Sequence, residues 1–120
     1  MGYGINQEKR RLGQGDIVII PSAFTDRAGI KTRPGIIISN LNDKSLQDII
    51  IIPISTTKRN YGHIFRLYPD DLDLGSLLYE SDVRVDKILS INKKLIKYRV
   101  GKVKIYVINK IKMILEDLIE

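Results

Sequence analysis

Residues 31–40, Lys-Thr-Arg-Pro-Gly-Ile-Ile-Ile-Ser-Asn, carry a polar segment directly into an apolar one. Proline fixes its own φ and keeps the residue before it out of the helical region, so Pro34 holds Arg33 extended. We therefore expect a strand over residues 35–40, with Arg33 at its mouth. A guanidinium held in this way can bind a phosphate through its planar fork of donors. The alternative interpretation is an ordinary surface charge beside a proline that starts a strand.

Apolar, β-branched runs on both sides of this segment predict a mainly β fold. Residues 16–21 form one such run, and residues 49–55 form another that is apolar at nearly every position. Residues 22–32 have mixed polarity and no clean period, which predicts a long loop of the kind that is usually functional. The predicted strands cover residues 16–21, 35–40, 49–55, 63–68, 82–91 and 98–102.

The C-terminal segment has apolar residues at helical spacing. This spacing predicts a helix over residues 103–120, while the β-branched residues 105–108 would also suit a strand. Several short strands followed by one helix are typical of a small antiparallel barrel. The length of 120 residues suits a single domain. We expect a flexible N-terminal arm over residues 1–14 and one barrel domain over residues 15–120.

The isoleucines of residues 49–52 bear on the oligomeric state. A strand that is apolar at successive positions needs cover on both of its faces, by the core on one side and by another surface on the other. Together with the C-terminal helix, this run gives more apolar surface than one small barrel hides. We therefore expect a homodimer.

Composition excludes several kinds of site. The chain has no cysteine, which rules out disulfides and cysteine–zinc centres, and its single histidine, His63, argues against a histidine-built metal site. We expect no cofactor.

The longest apolar run, around residues 49–54, is too short to span a bilayer, and residues 1–13 lack the apolar core of a signal peptide. We therefore expect a cytoplasmic protein without a membrane partner.

The charge distribution favours a phosphate-bearing partner. The formal net charge is +6 and the pI is about 9.6. Residues 84–104 carry many lysines and arginines against one acid, Asp86, whereas residues 70–82 are acidic. Such a basic stripe can neutralise phosphates, and the alternative is a solvated lysine-rich surface.

Several short motifs occur in an order that resembles the MazF/PemK-like toxins, the ribonuclease halves of type II toxin–antitoxin pairs. The resemblance covers roughly residues 15–118, and no single motif carries it alone. The motifs are Gly-Asp-Ile-Val at 15–18, Phe-Thr-Asp at 24–26, Lys-Thr-Arg-Pro at 31–34, Pro-Ile-Ser-Thr at 53–56, Glu-Ser at 80–81, Ile-Asn-Lys at 91–93 and Gly-Lys at 101–102.

The resemblance implies an SH3-like β-barrel that forms a homodimer. It also implies sequence-selective, metal-independent cleavage of single-stranded RNA by attack of the 2′-hydroxyl, which leaves a 2′,3′-cyclic phosphate and a 5′-hydroxyl. The implied partner is a cognate antitoxin whose acidic, disordered tail covers the basic groove near Arg33 and Lys87.

The resemblance assigns catalysis to Arg33 and a nearby hydroxyl group. Arginine can stabilise a phosphorane, but its pKa above about 12 makes it a poor general base. The family has threonine followed by serine where this chain has Ser55 followed by Thr56, so either hydroxyl is a candidate. Phe24 either stacks on a base or anchors its loop to the core. The RNA-binding candidates are Phe24, Thr25, Lys31, Thr32, Thr57, Lys58, Arg59, Ser81 and Lys87.

A non-catalytic barrel of the same fold is the alternative. Such a protein would bind nucleic acid, or would bind a protein target as the gyrase poison CcdB does. CcdB-like action resides at a C-terminal tip that carries tryptophan, and this chain has no tryptophan. The presence of Arg33 and of a hydroxyl at residue 55 favours the ribonuclease.

Overall fold

A computed structural model describes residues 12–26, 29–77 and 79–120, with the backbone alone described for residues 22–26 and 29–30. One α-helix, α1, covers Ile105–Ile119. Short 3₁₀ turns lie at Pro69–Asp71, Val85–Lys87 and Lys93–Leu95. The strands are Asp16–Asp26 (β1), Gly29–Ile37 (β2), Asp48–Ser55 (β3), Ile64–Leu67 (β4), Leu72–Leu74 (β5), Ser81–Arg84 (β6), Leu89–Asn92 (β7) and Tyr98–Val103 (β8).

The strands form one curled sheet in the order β4-β6-β3-β2-β1-β8-β5, and β7 pairs with β3 beside this path. All of the described strand pairs are antiparallel. This architecture confirms the predicted mainly β, barrel-like fold with a C-terminal helix. Among the described residues, no helix has the length and apolar character needed to cross a membrane.

Isoleucine-rich strands supply two apolar clusters on opposite faces of the sheet. In β1, Ile17 and Ile19 belong to the cluster that α1 covers, whereas Val18 and Ile20 belong to the second cluster. The alternation of side chains along a strand explains why β1 is apolar at successive positions. Each isoleucine that is fully removed from water contributes about 1.5–3 kcal/mol to folding.

The second cluster accounts for the apolar run in β3 within one chain. Ile52 packs in the first cluster, while Ile49 and Ile51 are fully buried in the second, where Ile96 is also buried. Leu12 and Ile91 pack against that second cluster from outside. The apolar run in β3 is therefore covered largely within one chain, whereas Ile105, Met113 and Ile119 of α1 are exposed. The homodimer remains a prediction.

The long loop predicted over residues 22–32 is wrong. Strand β1 continues to Asp26 and β2 begins at Gly29, and the hairpin that they form pairs Thr25 with Ile30. The register shifts between Pro21 and Thr25. A shifted register removes the alternation of polar and apolar residues by which a strand is recognised, so the sequence pattern did not indicate the hairpin.

Two further predictions about strands need correction. The strand predicted over residues 82–91 is two strands, β6 and β7, which pair with different parts of β3 and are separated by the 3₁₀ turn Val85–Lys87. The acidic segment after Pro69 contains β5, which pairs with β8 and was not predicted. The predicted N-terminal arm lies outside the described residues except for its last three positions, where Gln14 donates a hydrogen bond to the Ile38 carbonyl at 2.6 Å.

Candidate functional site

A cleft opens where β2 and β3 stop pairing with each other. The last residues that they pair are Gly35 and Pro53. Beyond this point Ser55 of β3 pairs with β6, while Arg33 of β2 continues along β1. The separation of the two strands leaves a cleft of about 580 Å³.

Gly35 allows the close contact between β2 and β3 beside the cleft. A Cβ atom at this position would lie 2.5 Å from Cγ2 of Ile51 and 3.3 Å from the carbonyl oxygen of Ile52. Any larger residue would therefore push β2 away from β3, because a packed interior leaves no room for the extra atom. The Pro34-Gly35 pair marks the end of the β2–β3 contact, and Arg33 lies just beyond it.

The lining of the cleft combines apolar side chains, hydroxyl groups and one cation. The buried residues Ile17, Ile54 and Val100 form its floor, and they belong to the cluster under α1. Among the described residues that line the cleft, Arg33 alone carries a formal charge. The hydroxyl groups are those of Thr32, Ser55, Thr56, Thr57, Ser76, Tyr79 and Ser81.

Arg33 lies within β2, opposite Ile20 of β1, and not at the mouth of a strand as the sequence predicted. The strand begins earlier because the backbone of residues 29–32 pairs with β1. The side chain is exposed, and none of the described residues forms an ion pair with it. An exposed guanidinium of this kind keeps its donors available for an anionic ligand.

The end of β3 places three hydroxyl groups in succession along the cleft. Ser55 is half-buried, and its Oγ accepts a hydrogen bond from the Thr57 backbone N–H at 3.1 Å. Thr56 and Thr57 are exposed. The Ser55 oxygen thus stabilises the turn that follows β3. The Thr56 hydroxyl forms no hydrogen bond with the described backbone.

A buried carboxylate fixes the segment that follows these hydroxyls. Asp82 is fully buried, and it accepts hydrogen bonds from the Arg59 backbone N–H at 2.7 Å and from Arg66 Nε at 2.5 Å. The Arg66 Nη2 also donates to the Arg59 carbonyl at 2.8 Å. The hydrogen bond to Asp82 raises the pKa of Arg66 above its ordinary value. This Asp82 cluster, formed by Arg59, Arg66 and Asp82, holds the loop between β3 and β4 against β6.

An ion pair links the same loop to the segment before β6. Lys58 Nζ lies 2.5 Å from Glu80 Oε1, and both side chains are partly exposed. Thr57 and Tyr79, the neighbours of these two residues, line the cleft. The ion pair therefore joins two parts of the cleft wall.

Asp71 fixes the segment that leads into β5, where Leu72 forms another part of the wall. Its Oδ2 accepts a hydrogen bond from the Tyr68 N–H at 2.8 Å, and its Oδ1 accepts one from the Tyr106 hydroxyl. The Lys104 N–H donates to its backbone carbonyl at 2.8 Å. The hydrogen bond to the Asp71 carboxylate raises the pKa of Tyr106 to about 12. The start of α1 is thus tied to the wall of the cleft.

The structure brings together six of the residues that sequence analysis selected. Arg33, Thr32, Ser55, Thr56, Thr57 and Ser81 line the cleft. Lys58 and Arg59 follow in the adjoining loop, whereas the exposed residues Lys31 and Lys87 are not in the lining. Phe24 and Thr25 lie in β1, and their side chains are outside the described part of the chain.

Sequence analysis missed several residues of this region. Tyr79, Leu77 and Ser76 line the cleft, and Arg66 and Asp82 support it. Arg66 and Asp82 are paired across β4 and β6, so their opposite charges could be matched only once the strand pairing was known. His63 lies elsewhere, 3.1 Å from Asp117 of α1. Within the described residues, no three His, Cys, Asp or Glu side chains gather as metal ligands would.

Comparison with known proteins identifies related chains. The family model for the PemK-like, MazF-like toxin of type II toxin–antitoxin systems matches residues 13–119. This match confirms the resemblance inferred from the order of the motifs. No curated protein matches the chain significantly.

Solved structures share the fold at low sequence identity. An endoribonuclease from a mycobacterial species, in complex with its cognate antitoxin, is 19% identical with a TM-score of 0.71, covering 90% of this chain and 94% of that chain. A MazE-MazF structure from Deinococcus radiodurans is 15% identical with a TM-score of 0.71, covering 90% and 95%. The Mycobacterium tuberculosis toxin MazF-mt6 is 17% identical with a TM-score of 0.66, covering 85% and 93%.

Proposed function

The chain belongs to the PemK-like, MazF-like toxin family of type II toxin–antitoxin systems, and we propose that it is a sequence-selective, metal-independent endoribonuclease acting on single-stranded RNA. The observation that carries the proposal is the cleft between β2 and β3, in which an exposed arginine lies among hydroxyl groups over an apolar floor. Similar structures described as endoribonucleases support the choice of reaction.

The reaction would begin with attack of the 2′-hydroxyl oxygen on the adjacent phosphorus. A new O2′–P bond forms while the P–O5′ bond breaks, a proton leaves the 2′-hydroxyl, and the departing 5′ oxygen takes up a proton. The products are a 2′,3′-cyclic phosphate and a 5′-hydroxyl. Arg33 would bind the non-bridging phosphate oxygens and stabilise the extra negative charge of the phosphorane, which one preorganised donor does by about 3–4 kcal/mol.

Hydroxyl groups at the end of β3 would complete the phosphate site. We assign the assisting role to Thr56, because the Ser55 oxygen already accepts the Thr57 N–H. Ser55 would hold the turn that carries Thr56 and Thr57. Thr32, Thr57 and Ser81 lie along the same cleft and would contact the RNA strand. Phe24, Thr25, Lys31, Lys58, Arg59 and Lys87 remain RNA-binding candidates outside the cleft lining.

The partners would be those of the family. We propose a cytoplasmic homodimer that is neutralised by a cognate antitoxin through an acidic, initially disordered tail. The net charge of +6 and the exposed Arg33 support an acidic ligand over the cleft. Recovery of a partner without an acidic segment that leaves the cleft accessible to RNA would contradict the antitoxin proposal. A monomeric mass in light scattering at micromolar concentration would contradict the dimer.

Cleavage of a long single-stranded RNA in the presence of EDTA tests the function. We expect the wild-type protein to cut the RNA and to leave cyclic phosphate ends. Arg33→Ala should lower the rate by about a hundred- to a thousand-fold. Arg33→Lys should restore little activity, because a point charge cannot reproduce the bidentate fork.

Lys112→Ala is the matched control, since Lys112 is an exposed cation on α1 whose loss changes the net charge equally. We expect this variant to cut RNA at the wild-type rate. A folded Arg33→Ala variant with wild-type activity would refute the role of Arg33. A requirement for magnesium would refute the mechanism, and RNA that is bound but never cut would favour the non-catalytic barrel.

A further inference from the structure

Two tyrosines are equally exposed but differ in their surroundings. Tyr61 and Tyr79 each expose 69% of their surface. The Tyr61 hydroxyl accepts a hydrogen bond from Arg59 Nη1 at 2.7 Å, and the Arg59 guanidinium lies 5.7 Å from the centre of its ring. Tyr79 lines the cleft, and none of the described side chains stacks on its ring or bonds to its hydroxyl. Its aromatic face is therefore available to a ligand in the cleft.

The backbone that carries Tyr79 is held in place by its two successors. Ser81 is buried, and its hydroxyl donates a hydrogen bond to the Tyr79 carbonyl at 3.2 Å. Glu80 forms the ion pair with Lys58 of the opposite loop. A ring on a backbone that is already ordered loses less conformational freedom when a ligand binds.

The cleft thus offers separate surfaces for the separate parts of one nucleotide. Arg33 suits a phosphate, and the hydroxyls of Thr56 and Thr57 suit phosphate or ribose oxygens. Tyr79 supplies a flat aromatic face, which single-stranded nucleic acids use for stacking because every base has such a face. The volume of about 580 Å³ falls in the range of sites that enclose small organic ligands.

We propose that Tyr79 is a nucleobase-stacking residue, which binds the face of one unstacked base of the RNA strand whose phosphate lies at Arg33. The proposal rests on the proposed function, because it places the same RNA in the same cleft. It assigns to Tyr79 a share of the binding affinity that depends on the base and not on the backbone charge.

Binding of two uncleavable probes separates the base from the phosphate. The first probe is a mixed-sequence single strand of 2′-deoxynucleotides, and the second is an abasic strand of the same length and charge. Alanine substitution of an aromatic that stacks on a base weakens binding by about 1–3 kcal/mol, which is about 5- to 150-fold. We therefore expect the wild-type protein to prefer the base-containing probe by about this factor.

Tyr79→Ala should lose this preference while its affinity for the abasic probe stays unchanged. Tyr79→Phe should keep the preference, because the ring is retained. Tyr61→Ala is the matched control, since it removes an equally exposed tyrosine from outside the cleft lining, and it should keep the preference too. Equal melting temperatures would show that the variants are folded.

The outcomes distinguish this inference from the proposed function. A wild-type protein that cuts RNA, together with a Tyr79→Ala variant that still prefers the base-containing probe, would overturn the stacking role alone. A preference that depends on Tyr79 in a protein that cuts no RNA would overturn the proposed function and support the stacking site. A wild-type protein with equal affinity for the two probes would overturn the stacking site directly.

Discussion

The Asp82 cluster and the cleft lie on either side of the end of β3, and they differ in whether their charged groups are buried and paired. Asp82 is fully buried, and its two carboxylate oxygens accept hydrogen bonds from Arg59 and Arg66. Arg33 is exposed on β2, where the described residues give it no ion-pair partner. The Asp82 carboxylate holds a loop in place, whereas the Arg33 guanidinium is available to bind a ligand.

Buried paired charges and exposed unpaired charges contribute differently to the free energy of folding and to ligand binding. A buried charge depends on its partners, because removing one partner leaves the other charge or polar group unsatisfied in a low-dielectric interior. An exposed cation contributes little to the free energy of folding, because water already solvates it. Substitutions at the two places should therefore change different measurements.

The largest expected effect on stability comes from Asp82→Ala. This substitution leaves Arg66 and the Arg59 N–H without their acceptor, and an unsatisfied donor at a partly buried site costs about 1–3 kcal/mol. Chemical denaturation of the variant should show this loss in the free energy of unfolding. Arg33→Ala should leave that free energy unchanged within about 0.5 kcal/mol. Equal losses at the two positions would contradict the division between a structural and a ligand-binding charge.

Two neighbouring hydroxyls at the end of β3, those of Ser55 and Thr56, should differ in the same way, one affecting stability and the other activity. Ser55→Ala should lower the free energy of unfolding by about 1 kcal/mol, because the Thr57 N–H loses its acceptor. Thr56→Ala should leave the stability unchanged and lower the rate of RNA cleavage by about ten-fold or more, as the loss of a hydrogen bond to a charged group does. A Thr56→Ala variant with wild-type activity beside an inactive Ser55→Ala variant would reverse this assignment.

The smallest effect concerns the pH dependence of stability at Asp16, a second buried carboxylate. Burial raises the pKa of Asp16 above its ordinary value of 3.8, although the Gly13 N–H and Arg99 act in the opposite direction. A carboxyl group with a raised pKa in the folded state binds protons more tightly there than in the unfolded chain. Its contribution to stability is thus greatest at low pH and declines as the pH rises from about 3.8 through the raised pKa.

Asp16→Asn should remove this decline, which denaturation series between pH 3 and pH 7 would measure. Asp86 provides the comparison, because hydrogen bonding to Arg84 lowers its pKa. Its contribution is present above the ordinary pKa of 3.8 and is lost as the pH falls, so Asp86→Asn should change the profile in the opposite sense. A profile that is unaltered by Asp16→Asn would contradict the buried-charge interpretation.

Local features of the sequence were enough to predict much of this molecule. The β-branched runs predicted the cores of β1 and β3, because such residues suit a pleated, half-buried surface. Helical spacing predicted α1, and the order of the short motifs predicted the family. The residues proposed for the phosphate site were selected in the same way, from Lys-Thr-Arg-Pro at 31–34 and Ser-Thr at 55–56.

Pairing between distant strands decided the rest. The hairpin between β1 and β2 has an irregular register, and β5 is a short strand in an acidic segment, so neither has a periodic pattern that the sequence could display. The cleft exists because β3 leaves β2 after Pro53 and pairs with β6, which is a choice of partner and not a property of any one segment. That same choice buries Asp82 opposite Arg66, places Tyr79 on the cleft wall and leaves Arg33 exposed. Residue types and their local spacing can be read directly from the sequence. The partner of each charged group depends on contacts between residues far apart in the sequence, which only the folded structure shows.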